Sequence, residues 1–157
     1  MLTSSDKKDY ILRLIEQMRR LVEALLGKLR DGGEAQQDVV EARGILAQLL
    51  GPMAGLAPRM DSETAGQMVG DADVLLAWAE LTAAEAALLR ARGEAAAAAA
   101  TDRRALELAL EAHLRTTADR GDLLALIARL RPAIDASALA PRHAEALETL
   151  AHEPEEA

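Results

Sequence analysis

The first thirty residues carry the clearest hydrophobic pattern in the chain. Apolar side chains recur at alternating steps of four and three residues, which is the spacing of one face of an α-helix, and further apolar side chains widen that face. The face comprises Tyr10, Ile11, Leu14, Ile15, Met18, Leu21, Val22, Leu25, Leu26 and Leu29. A helix with so broad an apolar face must pack against a large surface, so we expect it to lie against its own chain, against a second copy, or against both.

The rest of the sequence predicts shorter helices separated by glycines and prolines. Gly32 and Gly33 form a tight turn after the first helix, which favours an antiparallel second helix. The predicted helices cover residues 6–30, 34–50, 71–92, 95–118, 122–131 and 141–151, with a brief helix at 62–69. The helix at 71–92 is apolar on two sides, so we expect it to be the central helix of the fold.

Composition favours an all-α fold, a helical bundle of about six helices. Ala and Leu supply most of the hydrophobic residues and enter helices at little cost, whereas β-branched residues are scarce. A length of 157 residues is typical of one domain. We therefore predict a single helical domain over residues 1–151, with residues 1–33 as a candidate dimerisation arm, and an acidic tail at 152–157.

Charge and cysteine content exclude several classes of function. The net charge of −8 opposes contact with a phosphate backbone, so we expect no nucleic-acid partner. The absence of cysteine excludes disulfides, a thiol nucleophile and thiolate metal sites. The chain begins with polar residues and has no apolar run of the ~18–20 residues that span a membrane, so we expect a cytoplasmic protein of bacterial type.

No catalytic or cofactor-binding motif is recognisable. There is no glycine-rich phosphate-binding loop, and the three histidines, His113, His143 and His152, lack the spacing of helical metal-binding motifs. The carboxylates are scattered over helix exteriors, whereas acid–base catalysis needs two of them in one cleft. We therefore expect no enzymatic activity, no metal and no cofactor.

Trp78 and His113 are the two residues that a ligand groove could use. Such a groove would lie between the predicted helices at 71–92, 95–118 and 122–131. Large aromatic residues anchor many interfaces, and histidine serves in many sites. For Trp78, on a helix that is apolar on two sides, and for His113, on a predicted inner face, a place in the core is the simpler interpretation.

Part of the chain resembles a tetratricopeptide unit. Ala86, Gly93, Ala98 and Ala105 fall at the separations of that repeat's small positions, and Leu89 falls at a large one. Four positions depart from the repeat, namely Thr82, Glu85, Asp102 and Leu110. Because no second copy follows at the same period, the resemblance implies one degenerate helical hairpin over residues 71–120 and no solenoid.

The N-terminal helix also resembles that of a family of uncharacterised bacterial helical proteins. The resemblance lies in Asp9, Tyr10, Ile11, Arg13 and the run Ile15-Glu16-Gln17. In that family a similar helix precedes a tetratricopeptide-like helical pair, so the resemblance implies the same order here. It implies no activity and no catalytic residue.

These observations favour a non-enzymatic helical interaction or scaffold module. The broad face at 10–29 predicts self-association as a homodimer through the first helix, together with unidentified protein partners. One alternative is a small helical enzyme or ligand-binding protein that uses the groove near Trp78 and His113. The other is association with a membrane surface through the same amphipathic helix, whose polar side carries several basic residues.

Overall fold

A computed structural model describes residues 3–117 and 120–152. This part of the chain is all-α, as predicted, and it contains no strand. The helices are α1 (Ser4–Arg30), α2 (Gln36–Leu50), α3 (Ser62–Val69), α4 (Ala72–Ala91), α5 (Ala95–Leu114), α6 (Gly121–Leu130) and α7 (Pro141–His152). The predicted acidic tail falls on residues 152–157; of these, His152 ends α7 and the others lie outside the described residues.

The N-terminus of α1 is fixed by a capping box, and the helix begins at Ser4, two residues before the predicted start. Thr3 is the N-cap: its hydroxyl accepts a hydrogen bond from the backbone N–H of Asp6 at 3.1 Å. The carboxylate of Asp6 accepts one in return from the backbone N–H of Thr3 at 3.2 Å. These two bonds satisfy N–H groups at the start of the helix that have no partner in the backbone. The pKa of Asp6 is lowered because its carboxylate accepts hydrogen bonds from the Thr3 hydroxyl, at 2.8 Å, and from the Thr3 backbone N–H.

The C-terminus of α5 also differs from the prediction. The helix ends at Leu114, and residues 115–117 are not helical, so the predicted extension to residue 118 is wrong in its described part. The guanidinium of Arg115 folds back and donates to the backbone oxygen of Glu111 at 3.0 Å, which satisfies one of the last carbonyl groups of the helix. Leu114, the last residue of α5, is exposed.

The centre of the fold is α4, as its two apolar sides predict. It packs against α5 on one side and α1 on the other, and α2 and α3 also contact it. Its buried residues are Val74, Leu75, Leu76, Ala77, Trp78, Ala79, Leu81, Thr82, Ala83, Ala84, Ala86 and Leu88. Helices α3, α6 and α7 pack against α5, so α4 and α5 form the frame on which the others lie.

The broad apolar face of α1 packs mainly against its own chain. Helix α1 contacts α2 and α4. Five residues of the face are buried in the core: Leu14, Ile15, Met18, Val22 and Leu25. Four more are half-buried against it, namely Ile11, Leu21, Leu26 and Leu29, and Tyr10 is 49% exposed. What remains accessible on α1 is therefore a few side chains at the edges of this face.

A conservative core substitution tests this packing within the chain. Ile15 is buried and Ile11 is half-buried on the same helix. We expect Ile15→Val to lower the free energy of unfolding by about 1 kcal/mol, because it removes a buried methyl group, and Ile11→Val to lower it by less. Urea denaturation followed by circular dichroism measures both. If both variants lost the same free energy of unfolding, the result would contradict burial of Ile15 against its own chain.

Candidate functional site

A groove runs beside the second half of α1, with α4 and α6 as its other walls. One stretch encloses about 290 Å³ and is lined by Arg19, Val22, Glu23, Leu26, Glu80, Asp122, Ala125, Leu126 and Arg129. The next encloses about 440 Å³ and is lined by Glu23, Leu26, Leu29, Arg30 and Ala87. Glu23 and Leu26 line both stretches, so the two lie next to each other along α1. Apolar and charged side chains both line the groove, and most of the charged ones belong to the first stretch.

A set of ion pairs holds α6 in place as one wall of this groove. The guanidinium of Arg19 on α1 contacts Glu80 of α4 at 3.0 Å and Asp122 of α6 at 3.2 Å. Arg120, just before α6, contacts Asp73 of α4 at 2.6 Å and also reaches Asp122. Each Arg thus links two or more helices, so this wall is fixed by directional contacts as well as by apolar packing.

The surroundings of these ion pairs shift the pKa of Glu80 and the pKa of Asp122 in opposite directions. Burial raises the pKa of Glu80, although the charge of Arg19 opposes the change. Burial also opposes ionisation of Asp122, but hydrogen bonds from Arg120 and from the backbone N–H of Leu123 outweigh it and lower its pKa. Both carboxylates have guanidinium partners, so their role in the structure is to hold the helices together.

Three further charged groups of the groove have no ion-pair partner among the described residues. They are Glu23, Arg30 and Arg129. Glu23 and Arg30 are exposed and lie beside the half-buried Leu26 and Leu29. An apolar strip edged by charges without partners resembles the core and rim of a protein–protein interface.

Trp78, the first of the two candidate ligand residues, lies in the core. Its side chain is 5% exposed, and the guanidinium carbon of Arg104 lies 5.2 Å from the centre of its ring, within range of a cation–π contact. Arg104 in turn donates to the hydroxyl of Ser62 at 2.8 Å, and that hydroxyl donates to Glu107 at 2.9 Å. Trp78 is therefore part of a packed polar and aromatic cluster.

His113, the second candidate, is half-buried on α5. Among the described residues it has neither an ion pair nor a hydrogen bond from its ring. Neither Trp78 nor His113 lines the groove beside α1. The two residues are thus not brought together at that groove.

Of the charged groups in the described residues, Glu111 on α5 is the most buried, and the sequence analysis did not single it out. Its carboxylate is 0% exposed and accepts hydrogen bonds from Arg115 Nη1 at 2.6 Å and Arg142 Nε at 2.9 Å. His143 Nε2 lies 2.6 Å from the same carboxylate. Burial opposes ionisation of Glu111, but the hydrogen bonds from Arg142, Arg115 and His143 outweigh it and lower the pKa of this carboxyl.

This cluster joins three helices around one carboxylate. Arg142 and His143 belong to the first turn of α7, so Glu111 is the polar anchor of that helix on α5. From α3, Gly66 approaches so closely that a Cβ atom there would lie 2.9 Å from Glu111 Oε1. An ionised carboxylate only accepts hydrogen bonds, so Nε2 of His143 is the donor in its contact with Glu111.

The Glu111 cluster has the chemistry of a structural anchor. The carboxylate oxygens are occupied by two guanidinium groups and an imidazole, which leaves little capacity for a substrate. Nδ1 of His143 is buried and accepts no hydrogen bond in the described structure. Within the same ranges, 3–117 and 120–152, no group of three or more His, Cys, Asp or Glu side chains could hold a metal ion.

Comparison of the chain with known proteins finds no match. No protein-family model matches the chain, and no curated protein or solved structure matches it either. Among the described helices, none combines the length and the apolar character needed to cross a membrane. The groove and the exposed groups around it are therefore the features of this chain that bear on its function.

Proposed function

We propose that this chain is a non-enzymatic helical module that acts by protein contact. The groove beside α1 is its contact surface, and a second copy of the chain is its partner. The observation that carries the proposal is the apolar strip of Leu26, Leu29 and Ala87, which is edged by Glu23 and Arg30 without ion-pair partners in the described part of the chain. Interfaces of transient and permanent complexes share this arrangement of apolar core and charged rim.

Two resemblances in the sequence, one of the α4–α5 hairpin and one of the N-terminal helix, also support a role in protein contact. The hairpin of α4 and α5 is proposed to be one degenerate tetratricopeptide-like unit, a type of helical pair that serves protein contact in repeat proteins. The N-terminal helix is proposed to place the chain with uncharacterised bacterial helical proteins of the cytoplasm. Both proposals agree with a scaffold or interaction role.

The two alternatives have less support. Among the described residues that line it, the groove beside α1 contains no histidine or hydroxyl nucleophile, and its close carboxylates, Glu80 and Asp122, share the guanidinium of Arg19. Association with a membrane surface requires an apolar helix face that is free to enter lipid. The middle of that face in α1 is buried against α2 and α4.

Leu26→Glu tests the contact surface. A charge in the middle of the strip must be desolvated on association, so we expect a dimeric native protein and a monomeric variant. The matched control is Val40→Glu on α2, because Val40 is 54% exposed and lies outside the groove. Sedimentation velocity from low to high micromolar concentration gives the mass, and circular dichroism checks that each variant is folded.

Two results would contradict the proposal in different ways. A native protein that is monomeric over the whole range has no self-association. A dimer that survives Leu26→Glu but dissociates in Val40→Glu associates through another surface.

A further inference from the structure

We propose that two copies of α1 cross antiparallel in this dimer, about a twofold axis at Leu26 and Gly27. In this arrangement Glu23 of each copy faces Arg30 of the other. The inference rests on the proposed self-association and specifies its geometry. It follows from the charges and from the sizes of the side chains along the exposed edge of α1.

When two copies of α1 lie antiparallel, each charge on this edge of one helix faces an opposite charge on the other. Glu23 and Arg30 are seven residues apart, two turns of helix, so they lie on one face and line the same stretch of groove. They are equally distant from the midpoint between residues 26 and 27. A twofold axis through that midpoint therefore places Glu23 opposite Arg30 twice, as an isologous interface requires.

A parallel arrangement lacks this complementarity. Two helices paired in parallel and in register would place Glu23 against Glu23 and Arg30 against Arg30. Like charges held together at an interface are unfavourable, so the antiparallel arrangement is selected by charge. The net charge of −8 already opposes association of two copies, which makes local pairing of opposite charges more important.

The side-chain sizes around the axis also fit close contact. The same axis places Leu26 of one copy opposite Gly27 of the other. Gly27 is half-buried, and a Cβ atom built on it would meet only the Arg30 guanidinium, at 3.9 Å. The missing side chain leaves room for Leu26 of the second copy, in the way that ridges on one helix fill depressions on another.

Charge reversal is the first test. We expect Glu23→Arg and Arg30→Glu each to weaken the dimer roughly tenfold, because each introduces two like-charge contacts per dimer. The double variant exchanges the two charges and is expected to restore an affinity close to that of the native protein. Arg59→Glu is the control, since it makes the same change in net charge as Arg30→Glu at an exposed residue outside the groove.

Cysteine cross-linking is the second test, and it reports directly which positions of the two α1 helices face each other. The chain has no cysteine, so Glu23→Cys and Arg30→Cys each introduce a single thiol. In the antiparallel pair, identical positions are separated by roughly 10 Å along the axes, beyond the reach of a disulfide, whereas positions 23 and 30 face each other. We expect the mixed proteins to form a disulfide-linked heterodimer on oxidation, and neither protein alone to form a homodimer.

The outcomes separate this inference from the proposed function. If both single charge variants remain as tightly dimeric as Arg59→Glu, or if each thiol variant cross-links to itself, the antiparallel register is wrong. The proposed contact surface then still stands, provided that Leu26→Glu dissociates the native dimer. A monomeric native protein overturns both.

Discussion

Glu111→Ala is expected to destabilise the protein by about 3–5 kcal/mol. The substitution removes a fully buried carboxylate and leaves the guanidinium of Arg115 and the first turn of α7 without their anion. Charges desolvated by folding then lack compensation, which costs more than the original ion pair contributes. Urea denaturation followed by circular dichroism gives the free energy. The matched control is Glu148→Ala, an exposed residue on α7, for which we expect a change of at most about 0.5 kcal/mol.

The pH dependence of stability tests whether the negative charge of Glu111 is the cause of this stabilisation. The carboxyl of Glu111 has a lowered pKa in the folded protein, so its stabilisation is fully present above the ordinary glutamate pKa of about 4.3. It is lost as the pH falls through the lower folded pKa. Glu111→Gln keeps the shape of the side chain without its charge, and we expect its stability to fall less steeply over this acidic range. Equal slopes for the native protein and the Gln variant would contradict an ionised Glu111.

Trp78→Ala is expected to lower the free energy of unfolding by about 3–5 kcal/mol, the second large effect. Trp78 is buried in α4, and its removal leaves a cavity and takes away the ring beneath the guanidinium of Arg104. Burial already disfavours the charge of Arg104 and lowers its pKa, so loss of the ring removes one of the contacts that compensate it. Chemical denaturation measures the loss in the variant and in the native protein.

Tyr10→Ala serves as the control for Trp78. Tyr10, the other aromatic residue, is half exposed and makes a long hydrogen bond of 3.4 Å to Gln48. We expect its replacement to cost less than about 1 kcal/mol. If the two alanine variants were equally stable, burial of Trp78 would not contribute to the stability of the core.

The fold was largely predictable from the sequence because its signals are local. The periodicity of residues 10–29 and the Ala and Leu content indicate helices, and the two apolar sides of α4 indicate the central one. The exact ends were less predictable. The cap at Thr3 and the end of α5 at Leu114 each depend on a side chain that folds back on the backbone.

The candidate site was less predictable because it depends on contacts between distant residues. Glu111 meets its i+4 neighbour Arg115, a pair that the sequence displays, but Arg142 and His143 follow 31 and 32 residues later. The groove likewise needs the positions of α1, α4 and α6 together. Periodicity identified the apolar face of α1, whereas its division into a buried middle and an accessible edge at Leu26 and Leu29 follows only from packing.

Hydroxyl-radical footprinting at low and high protein concentration shows which surface two copies of the chain cover on association, because it measures the solvent access of individual side chains. If two copies associate through the groove beside α1, modification of Leu26 and Leu29 falls as the concentration rises. Modification of Tyr10, Val40 and Leu114, which are exposed elsewhere, then stays constant. Unchanged modification of Leu26 and Leu29, or protection centred on Val40 or Leu114, would contradict the proposed contact surface.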